Sequence, residues 1–342
     1  MLKLKTPVNN ATVSLQTAEQ ETFLKEEQWR AEMDGALTFC WFDLEEEGVE
    51  RSLPLPVTFC WEETDEEAND EDCYWLLVSK KKTIETPWVY TTKESCLDVY
   101  NLKVGTQYFW CVQKNGKRSE VSSFETRLTL PRCMKIDHIS NVRDMGGYKV
   151  EDGHIRQGKM YRGGEFELHM HLTEAGMKEL QRLGMRTELD MRGEAKDKVD
   201  FTTAELMGIK RAYVPSVPYA EVFKEEQRGA LRAFFEVFTE PENYPIYYHC
   251  WGGADRTGTF AFILGAFLGM TLEDLINEYE FTSLAIWGIR SRNYEGFQAF
   301  LDLFFALPGE TLRQKGANFL KQYAGLTDEE LAVIYDVMVE KG

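Results

Sequence analysis

The sequence predicts an all-β sandwich followed by an α/β domain in which helices flank a central, mostly parallel sheet. Two observations indicate this division: short alternating apolar runs occupy the first part of the chain, and strand-like and helix-like segments alternate after it. The 342 residues are also enough for two hydrophobic cores. Because the pattern changes at 129–132, we predict domains at residues 1–130 and 131–342.

The first domain is predicted from short strands joined by polar turns. Tyr108, Trp110 and Val112 recur at every second position, which is the period of a strand. Several such strands indicate a sandwich, and we predict them at residues 36–43, 56–61, 74–79, 106–113 and 121–124. The acidic residues 62–72 are predicted to form a solvated loop.

The second domain is predicted from helix signals that alternate with buried strands. Thr173 is expected to cap a helix that Gly184 ends, and Thr327 with Glu330 has the spacing of a capping box. Further helices are predicted at residues 229–239 and 257–268, and strands at 212–214, at 246–248 and in the segment ending at Leu189. This alternation is typical of a parallel sheet.

The composition of the chain argues against several functional classes. The formal net charge of −18 argues against a general affinity for nucleic acid or anionic membranes. No apolar run is long enough to span a bilayer, and residues 1–20 lack the apolar core of a secretory signal. Seven cysteines without zinc-site spacing indicate reduced thiols. We therefore expect a cytoplasmic protein without a metal or cofactor, although a secreted form remains an alternative.

The segment from Tyr248 to Gly258 carries the chemistry. It joins a predicted strand to a predicted helix, so its backbone N–H groups and the positive helix end can surround an anion. Gly252 and Gly253 permit a tight loop, and Arg256 can bind two phosphate oxygens at once. The same positive field favours the thiolate of Cys250, the alternative being an inert buried thiol.

These residues resemble the signature of the protein-tyrosine-phosphatase superfamily: His-Cys, five residues, then Arg-Thr-Gly. The resemblance implies that Cys250 is the nucleophile and that Arg256 binds the phosphate. It further implies that the Thr257 hydroxyl steadies the thiolate and that His249 shapes the loop without touching substrate. The remaining phosphate ligands would be the loop positions Trp251, Gly252, Gly253 and Ala254.

Upstream segments resemble the atypical bacterial tyrosine and lipid phosphatases. The matching motifs are residues 141–148, residues 160–165 and Asp190-Met191-Arg192, together with the tail at 325–330. The resemblance implies that Arg162 and Arg192 bind phosphate, and the alternative is that both are surface cations. Arg192 is favoured for the site because it follows a predicted strand.

The sequence leaves open which residue acts as the general acid. Many members of the superfamily use an aspartate on a separate loop, but the corresponding residues 213–221 contain none. In the bacterial branch the aspartate before the loop arginine is a candidate, so we favour Asp255, then Asp190, then Glu221. Asp190 could instead hold the guanidinium of Arg256 or Arg192.

Ala254 departs from the branch, in which many members have a lysine at this position. Its absence removes a cation and puts a preference for phosphoinositides in doubt. Arg290 and Arg292 could compensate, or they could be ordinary solvated charges.

Residues 102–110 resemble the E–F corner of a fibronectin type III domain, which implies that the Tyr108 hydroxyl bonds back to the turn. Such a domain could bind a protein partner.

The function predicted for the chain is hydrolysis of phosphate monoesters through a phosphocysteine. The expected substrate is a phosphorylated protein or a small phosphomonoester, with phosphotyrosine as the first choice. The alternatives are a phosphoinositide or inositol-phosphate phosphatase and a non-catalytic phosphate-binding module.

Overall fold

The chain folds into two units that are interleaved in sequence. In the computed structural model, which describes residues 1–32, 49–64, 73–193 and 199–342, the first unit consists of Met1–Thr17 and Pro54–Thr129. The second consists of Ala18–Leu53 and Leu130–Gly342. The predicted division into 1–130 and 131–342 therefore misassigns the segment from Ala18 to Leu53. The reason is that apolar residues of this segment, such as Phe23, pack against side chains of the second unit.

The first unit contains two β-sheets. Its strands are β1 (Leu2–Thr6), β2 (Ala11–Val13), β3 (Val57–Glu63), β4 (Tyr74–Ser79), β5 (Trp88–Thr92), β6 (Cys96–Val99), β7 (Gln107–Lys114), β8 (Lys117–Arg118) and β9 (Ser122–Thr126). One sheet has the order β1-β3-β6, and the other has the order β2-β9-β7-β4-β5 with β8 paired to β7. The strand predicted at residues 36–43 and most of the acidic loop lie outside the described residues.

The sandwich core depends on aromatic side chains from both sheets. Phe59 of β3 meets Trp110 of β7 and Phe124 of β9 edge to face, with ring centroids 5.0 and 5.6 Å apart. The backbone N–H of Lys103 donates a 2.8 Å hydrogen bond to the hydroxyl oxygen of Tyr108. This is the bond back to the turn that the resemblance predicted for Tyr108.

Cys60 and Cys96 form a disulfide, so the expectation of reduced thiols is wrong for this pair. The two residues are direct partners in the register of β3 and β6, with their Cα atoms 4.2 Å apart. Their separation of 36 residues gave no sign that the strands would pair. The free cysteines among the described residues are Cys73, Cys111, Cys133 and Cys250.

The second unit surrounds a sheet with the order β10-β11-β14-β17-β15-β16. Its strands are β10 (Arg132–Cys133), β11 (Arg143–Asp144), β12 (Lys149–Val150), β13 (Gly153–Ile155), β14 (Met160–Gly163), β15 (Thr187–Asp190), β16 (Lys210–Tyr213), β17 (Ile246–His249) and β18 (Val339–Lys341). Strands β14, β17, β15 and β16 run parallel, whereas β10 and β11 form an antiparallel edge. Strands β12, β13 and β18 form a separate three-stranded sheet.

Helices supply the rest of the second unit. They are α1 (Ala18–Lys25), α2 (Glu27–Ala31), α3 (Glu174–Arg182), α4 (Thr203–Leu206), α5 (Arg228–Glu236), α6 (Asp255–Leu268), α7 (Leu272–Glu280), α8 (Glu295–Ala306), α9 (Leu312–Gln322) and α10 (Asp328–Met338). The Thr173 side chain caps α3, and the capping box of Thr327 and Glu330 begins α10, both as predicted. Within the described parts of the chain, no helix combines the length and the apolar composition needed to cross a membrane.

Helix α6 is the central helix of this unit. Every residue from Thr257 to Leu268 is buried, and the aromatic rings of Phe260 and Phe262 pack against phenylalanines of α5 and α8. A helix that is apolar on all sides must be enclosed by other elements. The burial of α6 therefore fixes the position of its first turn, which faces the candidate site.

Candidate active site

The site lies where parallel strands of the second unit end. Gly163 of β14 and Asp190 of β15 are both register partners of His249, the last residue of β17. Residues 250–254 then connect β17 to α6. Ligands in sheets of this kind bind beyond the carboxyl ends of the strands, and residues 250–254 are referred to below as the phosphate loop.

The first two carbonyl groups of the phosphate loop are held by neighbouring donors. Nδ1 of His249 lies 2.8 Å from the Cys250 carbonyl oxygen, and the backbone N–H of Glu165 donates a 2.8 Å bond to the Trp251 carbonyl. Burial alone would lower the pKa of His249, but its bond to Glu188 and the charge of Asp190 raise the pKa to about 9. The ring is thus protonated at neutral pH, and both ring nitrogens donate.

The next two carbonyl groups are held in the same way by residues of the upstream motifs. The Asn141 side-chain amide donates a 2.9 Å bond to the Gly252 carbonyl, and Nη2 of Arg162 donates a 2.6 Å bond to the Gly253 carbonyl. Arg162 is itself paired with Glu278, at 3.2 Å from Nη1 to Oε1, and is completely buried.

These four carbonyl contacts determine where the amide groups of the loop point. In a planar trans peptide the N–H group is directed opposite to the C=O group. With the carbonyls of residues 250–253 bound to surrounding donors, the N–H groups of residues 251–254 face the inside of the loop. Four converging amides form a binding site for an anion.

The backbone geometry at position 253 requires glycine. Its φ of +65° lies in the left-handed region, and a Cβ atom built there would lie 2.2 Å from the Gly163 carbonyl oxygen. Gly252 is also tightly enclosed, since a Cβ atom would lie 2.6 Å from the indole of Trp287. Any side chain at either position would displace the loop from β14 or from Trp287.

The N-terminus of α6 adds positive potential to the loop. Ala254 occupies the N-cap position without a side-chain hydrogen bond to the first turn, so this helix end can satisfy its N–H groups with an anion. Burial raises the pKa of the Cys250 thiol, but the Arg256 charge and the nearby Thr257 hydroxyl and amide outweigh it and lower the pKa below its ordinary value. The loop therefore makes the thiolate more accessible than it is for an ordinary cysteine.

Arg256 is half-buried, and its Nη1 lies 3.3 Å from the carbonyl oxygen of Met191. This single backbone contact holds one end of the guanidinium beside the loop. The remaining N–H donors of the fork are sufficient for two phosphate oxygens.

Asp255 is held by side chains from two other segments. Arg290 donates from Nε to Oδ1 at 2.7 Å and from Nη2 to Oδ2 at 3.0 Å, and the Tyr219 hydroxyl also donates to Oδ1. The Tyr219 hydroxyl is 2.9 Å from that of Tyr279. Arg290 is 2% exposed. The structure thus gives Arg290 neither of the two predicted roles, since it is not a solvated charge and its guanidinium is already paired.

Asp190 and Arg192 bind each other, so the Arg192 guanidinium that was predicted to bind phosphate is engaged by a carboxylate. Burial alone would raise the pKa of Asp190, but the charges of His249 and Arg192 and the bonds from Arg192 lower it strongly, which favours the ionised carboxylate. Arg192 is fully buried, and its guanidinium donates to the carboxylates of Asp190, Glu165 and Glu167. This matches the alternative in which Asp190 holds a guanidinium in place.

The other upstream predictions also change. Arg162 contacts the carbonyl of Gly253 and the carboxylate of Glu278, so its guanidinium is engaged by the loop backbone and by a carboxylate. Arg292 pairs with buried Glu280, and Glu221 pairs on the surface with Lys224. Neither residue contacts the loop through these bonds.

One group of possible metal ligands occurs in the described part of the chain: Glu188, Asp190 and His249. Their ligand atoms are already engaged, because Glu188 binds His249 and Asp190 binds Arg192 and Arg211. The arrangement is a buried hydrogen-bonded ion network beneath the phosphate loop.

Sequence reasoning missed several residues that shape the site. Glu188 and Glu278 orient His249 and Arg162, and Tyr219 contacts Asp255. The signal available for Tyr219 was its place in residues 213–221, where many superfamily members carry the acid. Its φ of +56° is unusual for an aromatic residue and marks a constrained position.

Comparison with known proteins identifies the family to which the second unit is similar. The model of the tyrosine phosphatase family matches residues 134–340, which is more than half of the chain. A protein of Cupriavidus necator assigned as a tyrosine-protein phosphatase is 28% identical over 172 residues, covering 43% of this chain and 61% of the relative. The chain thus spans less than two thirds of that relative's length.

Two solved structures show weaker likenesses. The catalytic core of the PP-IP phosphatase SIW14 from S. cerevisiae is 18% identical, with a TM-score of 0.31 and coverage of 46% of this chain and 85% of that chain. A fibronectin type III domain from the human KIAA0970 protein is 19% identical, with a TM-score of 0.19 and coverage of 37% and 96%. Both TM-scores are too low to carry a structural argument.

Proposed function

Because the chain belongs to the tyrosine phosphatase family, we propose that it hydrolyses phosphate monoesters through a phosphocysteine formed on Cys250. The observation that carries the proposal is the Cys250 thiol, with its lowered pKa, at the start of a loop whose amides face inward beside Arg256. A module that only bound phosphate would not need a nucleophile at this position. Catalysis is therefore favoured over the non-catalytic alternative.

The reaction proceeds in two steps. The Cys250 thiolate attacks phosphorus, an S–P bond forms, and the bond from phosphorus to the ester oxygen breaks as Asp255 gives that oxygen a proton. Asp255 then takes a proton from water, whose oxygen attacks phosphorus, and the S–P bond breaks to release inorganic phosphate. The inward amides and Arg256 stabilise the charge on the phosphoryl oxygens in both steps.

The neighbours of Asp255 support its double role. As a base, the carboxylate accepts the hydrogen bond from the Tyr219 hydroxyl. As an acid, Asp255 carries the proton, and the same hydroxyl can turn its own hydrogen toward Tyr279, 2.9 Å away, and accept from Asp255. Arg290 donates to both oxygens of the carboxylate, from Nε to Oδ1 and from Nη2 to Oδ2.

Phosphotyrosine is the proposed substrate. A substrate with several phosphates would need further cations at the mouth, but the guanidiniums of Arg162, Arg192 and Arg290 are each paired with carboxylates, and Ala254 supplies no charge. An aryl phosphate needs only the anion site of the phosphate loop.

The substrate is tested by initial rates on a phosphotyrosine peptide, a phosphoserine peptide and a soluble phosphoinositide bisphosphate. We expect kcat/KM to be at least about tenfold higher for phosphotyrosine, because only that substrate combines one phosphate with a ring. The Cys250→Ser variant, measured on each substrate, controls for contaminating phosphatases. A higher kcat/KM for the phosphoinositide would replace phosphotyrosine with the alternative substrate class.

The acid assignment predicts a dependence on the leaving group. Asp255→Asn is expected to lower kcat/KM, which reports formation of the phosphocysteine, by about 10²-fold for phenyl phosphate and much less for p-nitrophenyl phosphate, because p-nitrophenolate leaves without a proton. Glu221→Gln, on the predicted acid loop but paired with Lys224, is the matched control and should leave both rates unchanged. Equal losses on the two substrates would move the acid role away from Asp255.

The first unit and the cellular location remain proposals. We propose that the sandwich binds a protein partner, which is supported by Trp75 and Val89, both about half-exposed on the same face of β4 and β5. A cytoplasmic location stays a prediction, and the Cys60–Cys96 disulfide weighs against it because such bonds persist in oxidising compartments.

A further inference from the structure

The described residues of the segment 18–53, which are 18–32 and 49–53, make several contacts with residues 277–293 of the second unit. Phe23 of α1 meets Phe281 edge to face, with ring centroids 6.2 Å apart, in a buried cluster with Leu284. The backbone N–H of Arg51 donates a 2.8 Å bond to the Leu284 carbonyl, and the Asn293 side chain donates a 2.7 Å bond to the Ala31 carbonyl. The segment is thus attached by apolar packing and by backbone bonds.

Arg30 of α2 makes a further, buried contact with the same stretch. It is 1% exposed, and its Nη1 donates to Glu280 and to Asn277, at 2.7 Å in each case. Glu280, itself fully buried, also accepts bonds from Nε, Nη2 and the backbone N–H of Arg292 at 2.8, 2.9 and 3.0 Å. Glu280 therefore joins Arg30 to Arg292, and a buried carboxylate that lost Arg30 would keep only one cationic partner among these contacts.

The stretch 277–293 also contacts the phosphate loop and its helix at three points. Glu278 binds Arg162, which holds the Gly253 carbonyl. The indole of Trp287 lies against Gly252, and Arg290 binds the carboxylate of Asp255. Arg290 and Arg292 are two residues apart, so a displacement of Arg292 is transmitted to the Asp255 contact through a very short piece of backbone.

We infer that Arg30 is a positioning residue for the reaction: by holding Glu280 and Arg292, it keeps Arg290 and hence Asp255 in place. The inference rests on the proposed function, because it assigns Arg30 an effect on the proton transfer performed by Asp255. Arg30 touches neither the substrate nor the phosphate loop, and its effect passes through contacts already described. The segment 18–53 is accordingly part of the catalytic unit.

The test uses the full chain carrying Arg30→Met, which keeps an unbranched apolar stem and removes the charged guanidinium. We expect kcat/KM for phenyl phosphate, which reports formation of the phosphocysteine, to fall about tenfold, while kcat/KM for p-nitrophenyl phosphate changes less than about twofold. Arg30→Lys should recover part of the loss because it restores a cation beside Glu280. Arg51→Met is the matched control, since Arg51 forms an exposed pair with Glu19 in the same segment and should leave all these values unchanged.

Amide hydrogen exchange gives a readout that does not depend on activity. Residues 285–294 are expected to exchange faster in Arg30→Met than in wild type and in Arg51→Met. Unchanged exchange, or equal loss of kcat/KM on both substrates, would overturn the positioning role. If Arg30→Met does not fold, Arg30→Lys takes its place in both assays, with smaller shifts of the same kind expected. Wild-type activity equal to that of Cys250→Ser would instead overturn the proposed function, and the exchange result would still decide whether Arg30 holds this stretch.

Discussion

Cys250→Ser is expected to lower kcat for p-nitrophenyl phosphate by about 10⁴-fold or more, while phosphate still binds. The serine hydroxyl is far less acidic than the thiol, and the loop cannot ionise it by the effects that lower the pKa of Cys250. The amides of residues 251–254 and Arg256 are untouched, so the affinity for inorganic phosphate should change little. Steady-state rates and phosphate binding by calorimetry measure the two quantities separately.

Cys133→Ser is the matched control for this substitution. Cys133 lies in the same unit, but burial raises the pKa of its thiol to about 12. This variant should retain wild-type kcat, and iodoacetamide at neutral pH should alkylate Cys250 and leave Cys133 unmodified. Acid quenching of the wild-type reaction should also yield a phosphate adduct on the peptide that contains Cys250. Full activity of Cys250→Ser would disprove the covalent mechanism.

Arg256→Lys is expected to lower kcat/KM by on the order of 10³-fold even though the charge is kept. Lysine cannot donate two parallel bonds to phosphate oxygens, and its ammonium group cannot also reach the Met191 carbonyl in the geometry of the guanidinium. The loss should therefore appear in kcat as well as in KM, because the planar fork matches the oxygens of the transferring phosphoryl group.

Arg232→Lys is the control that separates the loop arginine from arginine in general. Arg232 is a bidentate partner of Glu330 outside the site, so the substitution should change kcat/KM by less than about twofold. A lysine at position 256 that supported near-normal turnover would mean that the fork is not needed, and the phosphate would then have to be held mainly by the backbone amides.

The phosphate loop could be predicted from the sequence because its parts are adjacent in the chain. The strand, the two glycines and the helix start lie within residues 246–258, and each has a local signal. Local signals do not report contacts over long distances in sequence. Thr173 as a cap was predictable for this reason, whereas the pairing of Arg162 with Glu278, 116 residues away, was not.

The arginines around the loop show why their roles could not be predicted from the sequence. An arginine near a predicted phosphate site has the same sequence signature whether it binds the ligand or a carboxylate. Arg192 donates to Glu165, which is 27 residues away, and Arg290 donates to Asp255, which is 35 residues away. Only the folded arrangement of strands and loops decides between the two roles, because burying an arginine requires a partner for its charge.

The interleaving of the two units has a consequence for how the protein folds during its synthesis. Arg30 and Glu280 are 250 residues apart, so at 5–20 residues per second a ribosome needs roughly 10 to 50 s between them. Throughout that interval the sandwich can complete its own strands, whereas Phe23 and Arg30 lack their partners Phe281 and Glu280. A nascent chain stalled before residue 280 would therefore expose Phe23 and an unpaired Arg30, a surface that chaperones could recognise.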